Sequence, residues 1–269
     1  YIYDGIRAAT ARMKNAWTSS KHRGALNMAR PQPTDGARMV YLIKRKTKTT
    51  REELIVYWFA NHMPGVIARN DRNRASGAAH ANHYVATLFD PVPEQNLEWD
   101  GMAQLWYSAP LPRPSQASAV EPYDTFQENV EPYWPWATRE YVIMDGGLTL
   151  APLTLNPPFP CTRSGFFKVT FFVALKADAD RDAFFAHWLD IHIPNVRATM
   201  ETVGGFRYAI GHSLEPETEP FAGMAELYFP DPGGWKTYRD IFKPDGFERW
   251  VDHDATLRFY SGTELVGIE

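Results

Sequence analysis

Hydrophobic and polar positions alternate strictly in MAELYF (224–229): Ala225, Leu227 and Phe229 form one apolar row, and Met224, Glu226 and Tyr228 face the other way. That period predicts a β-strand. Upstream, GFFKVTFFVAL (165–175) is rich in β-branched and aromatic residues and predicts another. Between them, Asp180 is placed to cap a helix in which Phe184, Trp188 and His192 recur every fourth position. Gly204-Gly205 breaks the chain before the strand FRYAIGH. A turn at 231–234 leads into a helix expected from about Trp235 to Val251, with a break at Pro244, and LRFYSGTEL (257–265) closes the series as a strand. The order is βαββαβ.

The same order is written earlier in the chain. RMVYLIKRK (38–46), HYVATLF, MAQLWY and TREYVIM (138–144) predict four strands, and Thr50 with Glu53 forms a capping box that opens a helix reaching His62. A second helix, expected near 115–130, is hemmed by prolines on both sides. YWFANHMPGV (57–66) and HWLDIHIPNV (187–196) align Trp58 with Trp188, His62 with His192, Pro64 with Pro194 and Val66 with Val196, all at one offset. Gly101, Met102 and Leu105 align with Gly223, Met224 and Leu227, and Tyr84 with Tyr208. The copies are about a hundred residues long, too long for solenoid repeats, so each is a small domain. The expected organisation is a basic arm (1–37), a first repeat (38–149), a proline-rich linker (150–163) and a second repeat (164–269). The fold class is α+β. Each repeat makes a ferredoxin-like four-stranded antiparallel sheet with its helices on one face, and the two sheets pack face to face as a barrel within one chain.

Composition narrows the partners. With 269 residues, 44% apolar and 22% charged, the chain reads as globular, and its net charge of −4 gives no reason to expect nucleic acid. FFKVTFFVAL is interrupted by Lys168 and is too short to span a bilayer, so no membrane is expected. Cys161 is the only cysteine, which favours a reducing compartment and a cytoplasmic location. The arm is Arg-rich and amphipathic, the pattern of a transit peptide or of a helix packed on the body or on a partner chain.

Candidate chemistry follows from the faces. His62 and His192 lie one step beyond the buried tryptophans, where each is either a general base or a histidine answering the dipole of a helix that Pro64 or Pro194 stops. Glu226, facing the barrel interior, is either a carboxyl with a raised pKa or the partner of an inward arginine; its counterpart is Gln104. Tyr84 and Tyr208 are candidates to orient a substrate or to donate to an oxyanion. No third ligand accompanies His80 with His83, or Asp190 with His192, so no metal site is expected. G-x-S-x-G, P-loop and G-x-G-x-x-G motifs are missing, against hydrolase, NTPase and dinucleotide chemistry.

The repeated W-x-x-x-H-x-P and G-M-A-[EQ]-L-[WY]-[FY] segments resemble the EthD-type dimeric α+β barrel family, over about 38–146 and 165–268. Members of that family are usually single copies that dimerise; this chain is similar to a fused pair, and a homodimer of the fused chain is left open. The resemblance implies a barrel cavity bordered by the histidines. The expected function is an enzyme of lyase, isomerase, cyclase or decarboxylase type, acting without a cofactor on an aromatic or ring-bearing substrate. Catalysis falls to His62, His192, Tyr84, Tyr208 and Glu226. Trp58, Trp188, Met102, Gln104, Trp106, Met224 and Tyr228 line the chamber, and the half with Glu226 and His192 is favoured. The setting implied is aromatic or ether catabolism, or polyketide tailoring. Haem or oxygen chemistry, with a helix histidine as axial ligand, is the alternative, as is a non-enzymatic binding protein.

Overall fold

The computed structural model describes residues 29–92, 97–148 and 159–269. Most of the basic arm, and residues 150–158 of the expected linker, lie outside the described residues. Eight strands carry the fold: β1 (Ala37–Ile43), β2 (Ala81–Leu88), β3 (Gly101–Tyr107), β4 (Pro135–Asp145), β5 (Cys161–Val173), β6 (Arg207–Ser213), β7 (Gly223–Phe229) and β8 (Leu257–Ile268). They close into one barrel in the order β1-β3-β2-β8-β5-β7-β6-β4, with every neighbouring pair antiparallel. Each half contributes its strands in the same spatial order. Instead of two sheets merely stacked, the halves are hydrogen-bonded along two seams, β2 to β8 and β4 to β6. Closure satisfies the edge N–H and C=O groups that two separate sheets would leave unpaired. One strand also corrects a boundary: β5 starts at Cys161, inside the stretch expected to be linker.

Helices cover the outside. In the first half, α1 (Arg51–Val56) runs through a π-helical turn (Tyr57–His62) into α2 (Met63–Ser76). The capping box is present, with Thr50 Oγ1 accepting from the Glu53 amide and Glu53 Oε2 from the Thr50 amide. In the second half, α4 (Arg181–His187), capped by Asp180, runs through a π turn (Trp188–His192) into α5 (Ile193–Thr202). The prolines do not stop these helices. Pro64 and Pro194 have no N–H to offer, and the preceding amides of Met63 and Ile193 reach back five residues, to the carbonyls of Trp58 and Trp188. The W-x-x-x-H repeat therefore writes a π turn, and the helix-terminal reading of its histidines is corrected: a full helix follows each one.

The remaining helices are shorter than expected. In the first half a single turn, α3 (Thr125–Glu128), stands where a longer helix was read, because prolines crowd both sides. In the second half, α6 (Pro232–Ile241) ends before Pro244, and a 3-10 turn (Phe247–Arg249) follows.

The repeated glycines have a packing reason. A Cβ on Gly101 would stand 2.5 Å from the Thr87 carbonyl oxygen and 3.0 Å from the Trp58 ring. At Gly223 it would stand 2.5 Å from the Gly211 carbonyl oxygen and 3.0 Å from the Trp188 ring. Each glycine thus lets its half's π-turn tryptophan lie flat on the sheet.

Candidate functional site

Among the described residues, the barrel interior is filled by packed and paired side chains rather than left open as a chamber. Alternation does place Met102, Gln104, Trp106, Met224, Glu226 and Tyr228 inward, but they are packed or paired there. Met102 and Met224 belong to an apolar layer with Val40, Trp136, Phe172 and Phe259. The polar layer beside it is a chain of charges across the barrel. Glu226 Oε2 lies 2.6 Å from Arg38 Nη1 and accepts from Gln104 Nε2 at 3.0 Å, and Oε1 lies 2.6 Å from Lys168 Nζ. Lys168 also meets Glu264 at 2.9 Å, and Glu264 accepts from Tyr228 Oη (2.7 Å) and Arg163 (2.7 Å). At the other end Arg38 meets Glu140 at 3.1 Å, and Trp106 Nε1 donates to Glu140 at 2.8 Å.

Glu226 is therefore an ion-pair carboxylate rather than a raised acid. Burial alone would raise its pKa, but Lys168 and Arg38 outweigh burial and hold it at about 2. Arg38 and Lys168 occupy matching places, opposite Trp106 and Tyr228 respectively. One carboxylate between two cations explains why its repeat counterpart is the neutral Gln104, which donates to it.

The histidines instead face the layer between sheet and helices, and each is held by an aspartate that the sequence reading passed over. His62 Nδ1 lies 2.7 Å from Asp124 Oδ2, and His192 Nδ1 lies 2.9 Å from Asp245 Oδ2. Each aspartate also fixes its own turn: Asp124 Oδ1 accepts from the Gln127 amide, and Asp245 Oδ1 from the Phe247 amide. Burial would raise both carboxyls. For Asp245, the hydrogen bonds and charge of His192, with Asn195 and the Phe247 amide, outweigh burial and hold it well below the usual range; for Asp124, His62 and the Gln127 amide outweigh burial and lower it. A phenylalanine two residues on stacks on each imidazole, Phe126 on His62 at 4.4 Å and Phe247 on His192 at 3.9 Å. Neither Nε2 makes a hydrogen bond to any described residue.

The signal was legible. DTFQENV (124–130) and DGFERWV (245–251) share D-x-F-x-x-x-V, and their valines bridge to Arg45 and Leu175 at matching places. The prolines and the different helix lengths around them hid the match.

Each pair opens on a pocket in its own half. The first, about 210 Å³, is bordered by Trp58, His62, Tyr84 and Phe126, and by Tyr41 and Tyr133. The second, about 450 Å³, is bordered by Trp188, His192, Tyr208, Phe171, Trp235 and Tyr238. Tyr84 Oη accepts from Trp58 Nε1 at 3.2 Å, and burial pushes both Tyr84 and Tyr208 well above the ordinary phenol range, so both stay neutral. Of the expected site residues, the structure gathers His192, Trp188 and Tyr208 around one pocket and His62, Trp58 and Tyr84 around the other. It sets Glu226, Gln104, Met102, Met224, Trp106 and Tyr228 apart, behind the sheet.

Histidine, aspartate and the stacked phenylalanine of the second half lie in a segment that a family model recognises. Residues 176–256 match the EthD domain. The EthD segment contains both His192 and Asp245, whereas the first half repeats the same residues outside the matched range. No curated protein matches the chain. Similar solved structures include a heme-binding protein from Thermus thermophilus (8% identity, TM-score 0.42, covering 87% of this chain and 93% of that one). A mutant chlorite dismutase from Candidatus Nitrospira defluvii (7%, 0.43, 85% and 92%) and an anthrone oxidase-like protein (11%, 0.46, 88% and 95%) are others. The expectation that the barrel works with no cofactor is corrected here, since one of these neighbours is itself a heme-binding protein. Among the described residues, no helix is long and apolar enough to cross a membrane.

Proposed function

We propose that the pocket of the second half is the working site of a small-molecule enzyme, and that it takes a flat, largely apolar aromatic molecule against Nε2 of His192. The observation that carries this is the His192–Asp245 pair on the wall of a pocket of about 450 Å³. A dry cavity of about 150 Å³ holds one benzene ring, so this pocket suits about three fused rings. Asp245 holds Nδ1 as the protonated nitrogen and leaves the Nε2 lone pair toward the pocket. His192 then acts as a base toward a phenolic or otherwise acidic substrate, and Asp245 stabilises the imidazolium that forms. The neutral Tyr208 hydroxyl is a donor available to the substrate anion. Deprotonation of such a ring leaves an electron-rich anion, the form suited to oxygenase-type chemistry. This reading treats the halves as tandem ferredoxin-like repeats of one unit, supported by their equal strand order and paired motifs.

A second reading, haem in the same pocket, is favoured by the donor set. An imidazole whose Nδ1 is tied to a carboxylate is the usual arrangement of a ligating histidine. Arg239 and Arg258, exposed at the pocket's edge, suit the two carboxylates of a haem. His192 would hold the iron, and the bound group would supply redox or oxygen chemistry. The two readings separate in one experiment: titration of the full chain with hemin and, independently, with a tricyclic phenol. A Soret band that His192→Ala abolishes supports haem. Binding of the phenol without any such band, with turnover cut roughly 10²–10⁴-fold by His192→Gln, supports the base. If neither compound binds the second-half pocket, the proposal fails.

A further inference from the structure

The first-half pocket is built on the same frame as the second but carries different chemistry, and we infer that it is a separate binding site for a single-ring aromatic bearing an anionic oxygen, such as a benzoate. The frame is shared position by position. Trp58, His62, Tyr84, Ala103 and Leu105 stand where Trp188, His192, Tyr208, Ala225 and Leu227 stand in the second half. At three other positions the chain differs in one direction. Tyr41, opposite Ala103, replaces Phe171, opposite Ala225. Tyr107, at the end of β3, replaces Phe229 at the end of β7, and Arg69 of α2 replaces Thr199 of α5. Two phenols and a guanidinium thus border this cavity where the other half has two phenylalanines and a threonine.

These groups have room to act. The cavity of about 210 Å³ exceeds by a modest margin the roughly 150 Å³ that holds a bare benzene ring. One ring with one small substituent fits; the three rings proposed for the other pocket do not. Ile43, Leu105, Trp58 and Phe126 supply the apolar walls. Tyr41 and Tyr107 line the cavity, their hydroxyls make no hydrogen bond to any described residue, and burial pushes both phenols up, keeping them neutral donors. Arg69 sits at the edge, donating to Tyr123 Oη at 3.0 Å with its guanidinium 5.2 Å over that ring. A guanidinium and two neutral phenols are donors suited to a carboxylate or phenolate oxygen.

Benzoate, titrated into the full chain by calorimetry, is the test. Binding to the parent protein should weaken roughly tenfold or more in Arg69→Gln, since a charge-assisted hydrogen bond is lost. Arg69 is exposed, so this variant keeps the parent's thermal midpoint. Tyr41→Phe should weaken binding less, and His192→Gln, in the other pocket, should leave it unchanged. No binding at millimolar benzoate overturns the inference. So does binding that survives Arg69→Gln intact, or that disappears with His192→Gln, because either result puts the ligand elsewhere. The proposed function of the second pocket does not depend on this outcome.

Discussion

Replacing Glu226 by Gln keeps the side chain's size and removes one charge from the middle of the barrel. In the parent, its two oxygens lie 2.6 Å from Arg38 and 2.6 Å from Lys168, and all three side chains are within 4% of complete burial. Arg38, Lys168 and Arg163 balance Glu140, Glu226 and Glu264 along one chain of contacts. Glu226→Gln would leave a surplus buried positive charge and turn an amide N–H₂ toward one of the cations. The drop of the Glu226 carboxyl from 4.5 to about 2 corresponds to about 3 kcal/mol of preference for the charged form. That agrees with the roughly 3–5 kcal/mol typical of breaking a buried pair from one side. At about 2–4 °C per kcal/mol for a chain of this size class, the thermal midpoint at neutral pH should fall by roughly 6–20 °C. Acid supplies an independent arm. Because the folded-state pKa is depressed, the stabilisation is fully present above about 4.5 and is lost as pH falls through about 2. The stability gap between parent and Glu226→Gln, measured by thermal or urea unfolding at several pH values, should therefore be widest above 4.5 and narrow toward 2. A variant that melts within a degree of the parent at neutral pH would refute the reasoning. A gap that persists unchanged in acid would refute its electrostatic cause.

Three further outcomes follow from named contacts. Asp245→Asn should release the His192 ring and weaken ligand binding or turnover in the second pocket roughly 10–100-fold, read by the hemin and phenol titrations. Tyr84→Phe should cost about 1–3 kcal/mol in urea unfolding, because the buried Trp58 Nε1 loses its acceptor. Gly223→Ala should cost about 1–3 kcal/mol, since its Cβ would meet the Gly211 carbonyl and the Trp188 ring; a parent-like urea midpoint would remove the packing account of the repeated glycine.

The repeat was legible because a duplicated sequence reports its own constraints twice. Strand alternation correctly turned Met224, Glu226 and Tyr228 inward, since a barrel strand has only two faces. Alternation says nothing, however, about what fills the interior. Charge complementarity did carry a hint: Arg38 and Lys168 sit at inward positions of their strands, at matching places in the repeat, and two inward cations call for an inward carboxylate. The π turns were not legible, because proline within a helical period announces a break, and only backbone geometry shows that the chain widens and continues. The aspartates were missed for another reason. They stand at the start of turns of different length in the two halves, so a search by helix spacing does not align them, whereas D-x-F-x-x-x-V does.

A closed interior and an open outer layer are two sides of one arrangement. Buried charges that each have several partners do not readily take part in proton transfer near neutrality, because a change of protonation state breaks several contacts at once. Lys168 shows it: burial would lower its pKa, yet Glu226 and Glu264 hold it well above the ordinary range. The network thus commits the interior to holding the halves together, and Arg38–Glu226 joins residues from the two ends of the repeat pair. Chemistry is left to the layer between sheet and helices, where the π turn swings tryptophan and histidine onto the same face. There the tryptophan is pinned by a bare glycine and the histidine by an aspartate, so the two halves keep one rigid frame. Some of what differs between them falls at the pockets: Tyr41 against Phe171, and Arg69 against Thr199. A frame held this way lets the two pockets change ligand class while the barrel that carries them stays the same.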